Sequence, residues 1–258
     1  MNKPNEIAAA EPPFQPADRP ARVPRGFLLA SAVVAIGFAW PLCQLARFAL
    51  GSELYSHILL IPFISAYLVW QQRATLPASS SPHRQLAVAF FAAGLALLAG
   101  YALMAFPTST LARDDSLALT TLSFLFFFAG VCAWFLGRRT LRAVCFPLAF
   151  LLFMVPLPVL FVSWIETALQ HGSAAVAYAL FALAGTTVFA SGLSFQLSTI
   201  TIQIAPECSG IHSSLALLVT SVLAGYFFLR SPGRRTILTL AVLPLALLRN
   251  GFRVGVIG

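Results

Sequence analysis

Charged residues are scarce in this chain. Asp, Glu, Lys and Arg make up 9% of its 258 residues, whereas hydrophobic residues make up 59%. An ordinary soluble domain contains roughly 25% charged residues, and the interior of one domain cannot hide this much apolar surface. These proportions exclude a soluble globular protein and predict that the chain lies in a lipid bilayer.

Several signatures of chemistry are also missing. The sequence has no Gly-rich phosphate loop, no dinucleotide-binding fingerprint and no residue spacing typical of a metal site. We therefore expect neither a cofactor nor a metal ion. The net charge of +8 comes from short basic clusters between apolar runs, not from a basic face. Nucleic acid is therefore not expected as a partner.

Residues 1–25 are rich in Pro and Ala and lack the apolar core of a cleavable signal peptide. We predict that they form a disordered cytoplasmic tail. Arg19, Arg22 and Arg25 directly precede the first apolar run, which should hold this end inside. Residues 26–258 are expected to form one multi-pass membrane domain.

The apolar runs predict an all-α fold, a polytopic bundle of about seven transmembrane helices, since each crossing needs about 20 apolar residues. With the N-terminus inside, twelve of the sixteen Lys and Arg fall on the cytoplasmic side, which supports this orientation. The four exceptions are Arg47, Arg113, Arg249 and Arg253. The predicted spans are 27–48, 58–71, 85–106, 116–136, 211–229 and 236–258, with a further crossing between residues 143 and 208.

The course of the chain in that segment is ambiguous. It must cross the membrane an odd number of times to pass from the inside to the outside, yet it contains two apolar stretches, 143–162 and 174–190. MVPLPV at 154–159 breaks the first stretch, since proline removes a donor and forces the preceding residue out of the helix. We expect one stretch to be re-entrant or to lie along the outer interface, which suits Trp164 and Glu166.

The pattern of apolar and polar residues changes after Gly192. SFQLSTITIQI at 194–204 alternates apolar and polar residues and is rich in Thr and Ile, a pattern typical of strands. Backbone of this kind cannot face lipid. We predict a short hairpin or extended segment on the outer face, leading into Cys208.

Cys208 differs from Cys43, Cys132 and Cys145, which lie within apolar runs where cysteine is usually a small buried hydrophobe. It stands in PECSG, at the predicted start of a transmembrane helix. The N–H groups and partial positive charge of a helix N-terminus stabilise a thiolate and an oxyanion formed by its attack. The alternative is a helix-capping turn in which the cysteine is incidental. Glu207 and Ser209, which flank the cysteine, are candidates for supporting roles.

Two arginines and an asparagine occur in RNGFR, near the outer end of the last span. Arginine within a span is costly and usually marks function, although Arg253 could also extend to the interface. From Cys208 to Arg230 the helix rises about 33 Å, and from Arg235 to Arg253 about 27 Å. Cys208 and Arg253 are thus predicted to reach the same outer face on adjacent antiparallel helices, with Asn250 nearby.

Two histidines are further candidates. His212 lies four residues after Cys208 and would share its helix face. His57 belongs to the first outer loop and could line the same site. For both, an ordinary position at the membrane interface is the alternative.

These residues occur in four ordered blocks that resemble the exosortase/archaeosortase family of multi-pass membrane cysteine enzymes. The blocks are LYSHILLIPFISAYLVWQQR at 54–73, FPLAFLLFMVPLP at 146–158, PECSGIHSS at 206–214 and NGFR at 250–253. Any one block alone is a weak signal, whereas the ordered set is fairly specific.

The resemblance implies a cysteine endopeptidase or transpeptidase of the bacterial cytoplasmic membrane, with its active site on the periplasmic face. Its substrates would be membrane-anchored proteins that carry a C-terminal PEP-CTERM sorting signal, and its acceptor a polysaccharide or lipid. Cys208 matches the family nucleophile and Arg253 the family arginine, a partner for an oxyanion or a substrate carboxylate.

The chain departs from the family pattern at two points. The family often has arginine where this chain has His212. The family's essential histidine lies downstream of the NxxR block, and this sequence stops at Gly258. Because a cysteine enzyme needs an acid or base, we expect the sequence to be truncated within its catalytic domain.

Two other function classes fit a chain with many spans. A transporter component would place polar residues along its spans near the midplane, whereas here they gather at the predicted outer end. A non-catalytic membrane scaffold would need no acid or base at all.

Overall fold

The computed structural model of the chain describes residues 24–74, 76, 82–108, 112–185, 189–196, 201–203 and 209–257. Residues 1–23 of the predicted tail lie outside this part, and the first helix begins at Arg25. In order, the elements are α1 (Arg25–Gly37), α2 (Ala39–Gly51), a 3₁₀-helix (Ser56–Leu59), α3 (Ile61–Gln72), α4 (Arg84–Thr108), α5 (Arg113–Ala143), α6 (Cys145–Phe150), a 3₁₀-helix (Leu151–Met154), α7 (Val159–Leu183), β1 (Phe189–Ser191), β2 (Ser194–Gln196), β3 (Thr201–Gln203), α8 (Ile211–Phe228) and α9 (Pro232–Ile257).

The described helices fit a multi-pass membrane protein. Four of them are long and apolar enough to cross a bilayer, or up to six if each of two sharply bent helix pairs counts as one span. Large apolar side chains lie exposed on their surfaces; Leu103 and Phe228 are 75% and 84% exposed. Such surfaces are stable in hydrocarbon. The four spans are Arg84–Met104, Arg113–Ala143, Ile211–Phe228 and Pro232–Arg253.

The predicted span 27–48 is not one straight helix. The chain bends by 66° between α1 and α2. Pro41 lies in the first turn of α2 and has no N–H to donate to the carbonyl of Gly37, so the helical ladder is interrupted there. Two shorter helices, which together form either one broken span or a re-entrant loop, therefore stand where a single helix was predicted.

The predicted span 58–71 is also shorter than expected. α3 has 12 residues and follows a 3₁₀-helix that ends at Leu59. Twelve residues rise about 18 Å, against about 30 Å of hydrocarbon core. α3 is therefore not among the helices that can cross alone, and the described helices provide four to six candidate spans, against the seven predicted.

The predicted fourth span, 116–136, ends one residue before a kink in α5. Gly137 takes φ 70° and ψ 170°, a conformation that residues with a Cβ avoid. It is buried, and the chain beyond it leaves the axis of α5.

The segment 143–183 is divided differently from the prediction. The break falls at Pro156 and Pro158, as MVPLPV predicts, and the two sides are bent by 87°. Beyond it, α7 runs unbroken for 25 residues, so 174–190 is not a separate stretch. Polar residues near position 170 interrupt the apolar run in the sequence. Gln170 and Ser173 are nevertheless buried inside the protein, and the helix continues through them. The shorter helical segment before the break, Cys145–Met154, is half of a broken span or part of a re-entrant loop.

Three short strands lie between α7 and α8. β1 pairs with β2, and β2 with β3, all antiparallel. Phe195 on β2 is 1% exposed, and its ring lies 6.0 Å from that of Phe181 on α7. This contact ties the sheet to the C-terminal end of α7.

One end of the bundle gathers loops and helix ends that are distant in sequence. The Tyr55 hydroxyl donates to the carbonyl of Leu157 at 3.2 Å, and the N–H of Val159 donates to Oδ1 of Asp115 at 2.9 Å. The start of α7 therefore lies beside the start of α5. We call this the Tyr55 end of the bundle.

Candidate active site

The residues around the predicted nucleophile are partly described. Glu207 and Cys208 lie outside the described residues, whereas Ser209 and Gly210 lie within them. Ser209 is 2% exposed, and its Oγ accepts the N–H of Ile211 at 3.4 Å. α8 begins at Ile211, after Gly210 with φ 72° and ψ 17°. The chain next to Cys208 is therefore anchored at the N-terminus of α8.

Asn250 packs directly against that anchor. A Cβ placed on Gly210 would lie 3.2 Å from both Cγ and Oδ1 of Asn250. Gly225, later on α8, lies similarly beside Arg235 of α9. α8 and α9 are thus antiparallel neighbours, and NGFR lies against the start of α8.

Asn250 is itself held by α7. Its Nδ2 donates to Oγ of Ser173 at 2.9 Å, and the two residues are 7% and 0% exposed. A Cβ on Gly251 would lie 2.5 Å from Cγ1 of Val176, so the backbones of α7 and α9 approach closely here. A continuous contact runs from Ser173 through Asn250 to Gly210.

Arg253 lines a small cavity beside this contact. The cavity has a volume of about 60 Å³ and is lined by Ser213, Ala246, Arg249, Asn250 and Arg253. It has room for one or two water molecules, at about 30 Å³ each. The two arginines therefore lie beside the first turn of α8, close to the chain that carries Cys208.

The hydrogen bond between Ser173 and Asn250 yields a stability prediction. Alanine at either position leaves a buried polar group with one partner fewer, so each change should cost about 1–3 kcal/mol of unfolding free energy. The double variant should cost less than the sum, with a coupling energy of about 1 kcal/mol. Denaturation in detergent gives the unfolding free energy of the parent chain, the two single variants and the double variant. Ser163→Ala, at an exposed position of α7, is the control. Strictly additive costs would contradict the coupling.

His57 and His212 lie near each other at the Tyr55 end. Burial lowers the pKa of His57, and the positive charge of a protonated His212 lowers it further. Hydrogen bonds to the backbone of Leu54 and Phe153 act in the opposite direction without reversing the shift. His57 Nδ1 lies 3.1 Å from the Leu54 carbonyl. The neutral imidazole that results at neutral pH can accept a proton.

The lowered pKa of His57 makes stability depend on pH in a defined direction. Between the folded-state pKa and the ordinary value of about 6.5, the unfolded chain binds more protons, so stability falls as pH falls through this range. His57→Gln should therefore weaken the loss of thermal stability between pH 7 and pH 5. His171→Gln, at an exposed position of α7, is the matched control. An unchanged pH profile in His57→Gln would contradict the assignment.

Tyr55, in the same loop as His57, keeps its phenolic proton. Burial, and then the charge of Asp114, raise the pKa of Tyr55 to about 12. Its hydroxyl therefore remains a donor to Leu157 at any physiological pH. This fixes the loop that carries His57 against the break before α7.

Sequence reasoning missed Ser173. The signal was present, because Ser173 and Ala177 are small residues four apart on α7 and both are 0% exposed. Such spacing is typical of close helix packing in membranes. Of the other cysteines, Cys132 is buried as expected, whereas Cys43 and Cys145 are exposed. Within the described residues, no cluster of three or more His, Cys, Asp or Glu could hold a metal ion.

Comparison with known proteins identifies the family. No curated protein and no solved structure matches the chain. Residues 49–258, well over half of the chain, match the family model described as transmembrane exosortase (Exosortase_EpsH). This match includes all four sequence blocks and every element from the first 3₁₀-helix to α9. The chain therefore belongs to the transmembrane exosortase family.

Proposed function

We propose that this chain is a membrane cysteine endopeptidase or transpeptidase that cleaves C-terminal sorting signals of the PEP-CTERM type. The observation that carries the proposal is the packing of Asn250, from the NGFR block, against Gly210, two residues after Cys208. Two blocks that lie far apart in sequence thus meet at one site. Membership of the exosortase family supports the same chemistry.

In the proposed reaction, the Cys208 thiolate attacks the carbonyl carbon of the scissile peptide bond. The N–H groups at the start of α8 and the guanidinium of Arg253 would stabilise the oxyanion. Collapse of this intermediate breaks the C–N bond, leaves an acyl thioester on Cys208, and releases an amine that takes up one proton. Water or an acceptor nucleophile then attacks the thioester, loses a proton and restores the thiolate.

The proton transfers need an acid or base near the sulfur. His57 and His212 are candidates, because they lie near each other at the Tyr55 end and the lowered pKa of His57 favours its neutral form. Glu207 and Ser209, which flank Cys208, would support the peptide chain that carries it.

The proposed location is the bacterial cytoplasmic membrane, with the N-terminus in the cytoplasm and the site facing the periplasm. The basic residues support this orientation, since Arg138, Arg139 and Arg142 lie at the C-terminal end of one span and Arg234 and Arg235 at the N-terminal end of another. The substrates would be membrane-anchored proteins. Transfer would join them to a polysaccharide or lipid acceptor, and attack by water would release them.

The deciding experiment is co-expression with a membrane-anchored reporter that ends in a PEP-type motif, an apolar helix and a basic tail. The matched control reporter keeps the helix and tail but carries a scrambled motif. We expect cleavage of the first reporter only, read as a mass shift by intact-protein mass spectrometry. Equal stability of both reporters would overturn the proposal in favour of a transporter component or a scaffold.

Orientation is tested separately. A variant with Cys43, Cys132 and Cys145 replaced by alanine leaves Cys208 as the only thiol. A membrane-impermeant maleimide added to spheroplasts should label it. Protection from the reagent until the membrane is permeabilised would contradict the proposed topology.

A further inference from the structure

A large apolar groove lies between α1, α2, α3, α5 and α6. Its volume is about 750 Å³. Ile58 and Met154 line one end, near the loop of His57, whereas Trp70 and Thr140 line the other. The groove thus runs along the whole of α3.

The dimensions of the groove decide what class of occupant it fits. α3 rises about 18 Å, close to the thickness of one leaflet, which is about 15 Å if the hydrocarbon core is about 30 Å. A transmembrane helix about 10 Å wide would occupy about 1400 Å³ over that length, roughly twice the space in the groove. A single acyl chain is slender enough and has the matching length.

Charge at one end of the groove indicates the headgroup. The guanidinium of Arg73 lies over the ring of Trp70, 4.8 Å from its centroid. Arg138 and Arg142 flank Thr140 in sequence and are exposed, as is Arg25, two residues before the groove-lining Phe27. Cations at the end of an apolar groove complement the phosphate of an anionic lipid.

A polar group in the wall of the groove also lacks a partner. Ser65 lines its wall and is 5% exposed, and its hydroxyl forms no hydrogen bond with any described residue. A buried hydroxyl without a partner costs about 1–3 kcal/mol. The hydroxyl oxygen has less than 1 Å² of accessible surface, so Ser65 presents no polar atom to the groove and leaves its wall apolar.

We propose that this groove binds one acyl chain of an anionic phospholipid, with its phosphate at Arg73. The lipid would fill the space between α2, α3 and α6 and thereby stabilise the short helices that bring His57 to the Tyr55 end. This site does not depend on the cysteine chemistry proposed above.

The test uses the full chain purified in detergent and depleted of lipid. Dioleoyl phosphatidylglycerol and dioleoyl phosphatidylcholine have the same chains and differ in headgroup charge. We expect native mass spectrometry to show one retained phosphatidylglycerol, bound at least tenfold more tightly than phosphatidylcholine, and a rise in Tm on its addition. Equal binding of the two lipids would overturn the headgroup assignment.

Two pairs of variants locate the bound lipid. Ala66→Phe fills the groove, whereas Ala96→Phe adds the same ring to an exposed position of α4 outside it. Arg73→Gln removes the cation over Trp70, whereas Arg84→Gln removes one that lies 5.9 Å from the ring centroid of Trp134. We expect Ala66→Phe and Arg73→Gln each to weaken phosphatidylglycerol binding at least tenfold and both controls to leave it unchanged. Equal effects within either pair, or displacement of the lipid by a synthetic transmembrane peptide, would overturn the proposal.

Discussion

Replacing Cys208 with alanine is expected to abolish cleavage of a PEP-CTERM reporter in cells. In a serine protease, removal of the nucleophile alone lowers kcat by about 10⁶-fold, and a loss on this scale would leave no detectable product. Cys208→Ser should be nearly as inactive, because a serine hydroxyl stays protonated where a cysteine thiol ionises readily. Reporter cleavage, normalised to the amount of enzyme in the membrane, measures both variants.

The chain provides a matched control for this prediction. Cys145 is an exposed cysteine at the start of α6, and Cys145→Ala should leave cleavage unchanged. If Cys208→Ala processed the reporter as well as Cys145→Ala does, the cysteine mechanism would be wrong even though the family assignment would stand.

Replacing Gly210 with alanine is expected to produce the second largest effect. Gly210 has φ 72°, a left-handed conformation that costs a residue with a Cβ about 1–2 kcal/mol. The added Cβ would also lie 3.2 Å from Cγ of Asn250, so the amide must move and strain its bond to Ser173. A displacement of about 1 Å near a reacting group can cost about 10²-fold in rate. We therefore expect a loss of about 1–3 kcal/mol in stability and at least tenfold in cleavage rate.

Gly192 separates the two causes of this loss. It has φ 62° in the turn between β1 and β2, and a Cβ there would meet nothing within 4 Å. Gly192→Ala should therefore show the backbone cost alone and retain cleavage. Adding Asn250→Ala to Gly210→Ala should relieve the crowding but not restore the rate, because the contact between α9 and α8 is lost. Equal rates for Gly210→Ala and Gly192→Ala would show that Asn250 does not position the site.

The Ser173–Asn250–Gly210 contact gives α7 a role that sequence analysis did not assign to it. α7 and α9 approach closely at Gly172 and Gly251, where an added Cβ would lie 2.6 Å from Leu247 and 2.5 Å from Val176. Small residues at helix interfaces allow such close approach in membranes. The position of Asn250 beside α8 therefore depends on a third helix that carries none of the predicted catalytic residues.

The amino-acid sequence by itself determined the features that depend on local composition. Apolar runs of sufficient length predicted the four long helices, because hydrocarbon requires about 20 apolar residues per crossing whatever the helix packs against. Pro156 and Pro158 predicted the break before α7, because proline lacks its N–H in any context. The ordered blocks around Tyr55, Cys208 and Asn250 were also sufficient to indicate the family.

Tertiary structure decided the remaining features, because these features depend on pairs of residues far apart in the chain. The unbroken course of α7 through Gln170 and Ser173 and the proximity of His57 to His212 follow from packing that no local pattern encodes. Asn250 and Ser173 are 77 positions apart, and only the packing of α7 against α9 makes their hydrogen bond possible. The sequence identified the blocks that carry the family resemblance, and the packed helices bring two of them into contact.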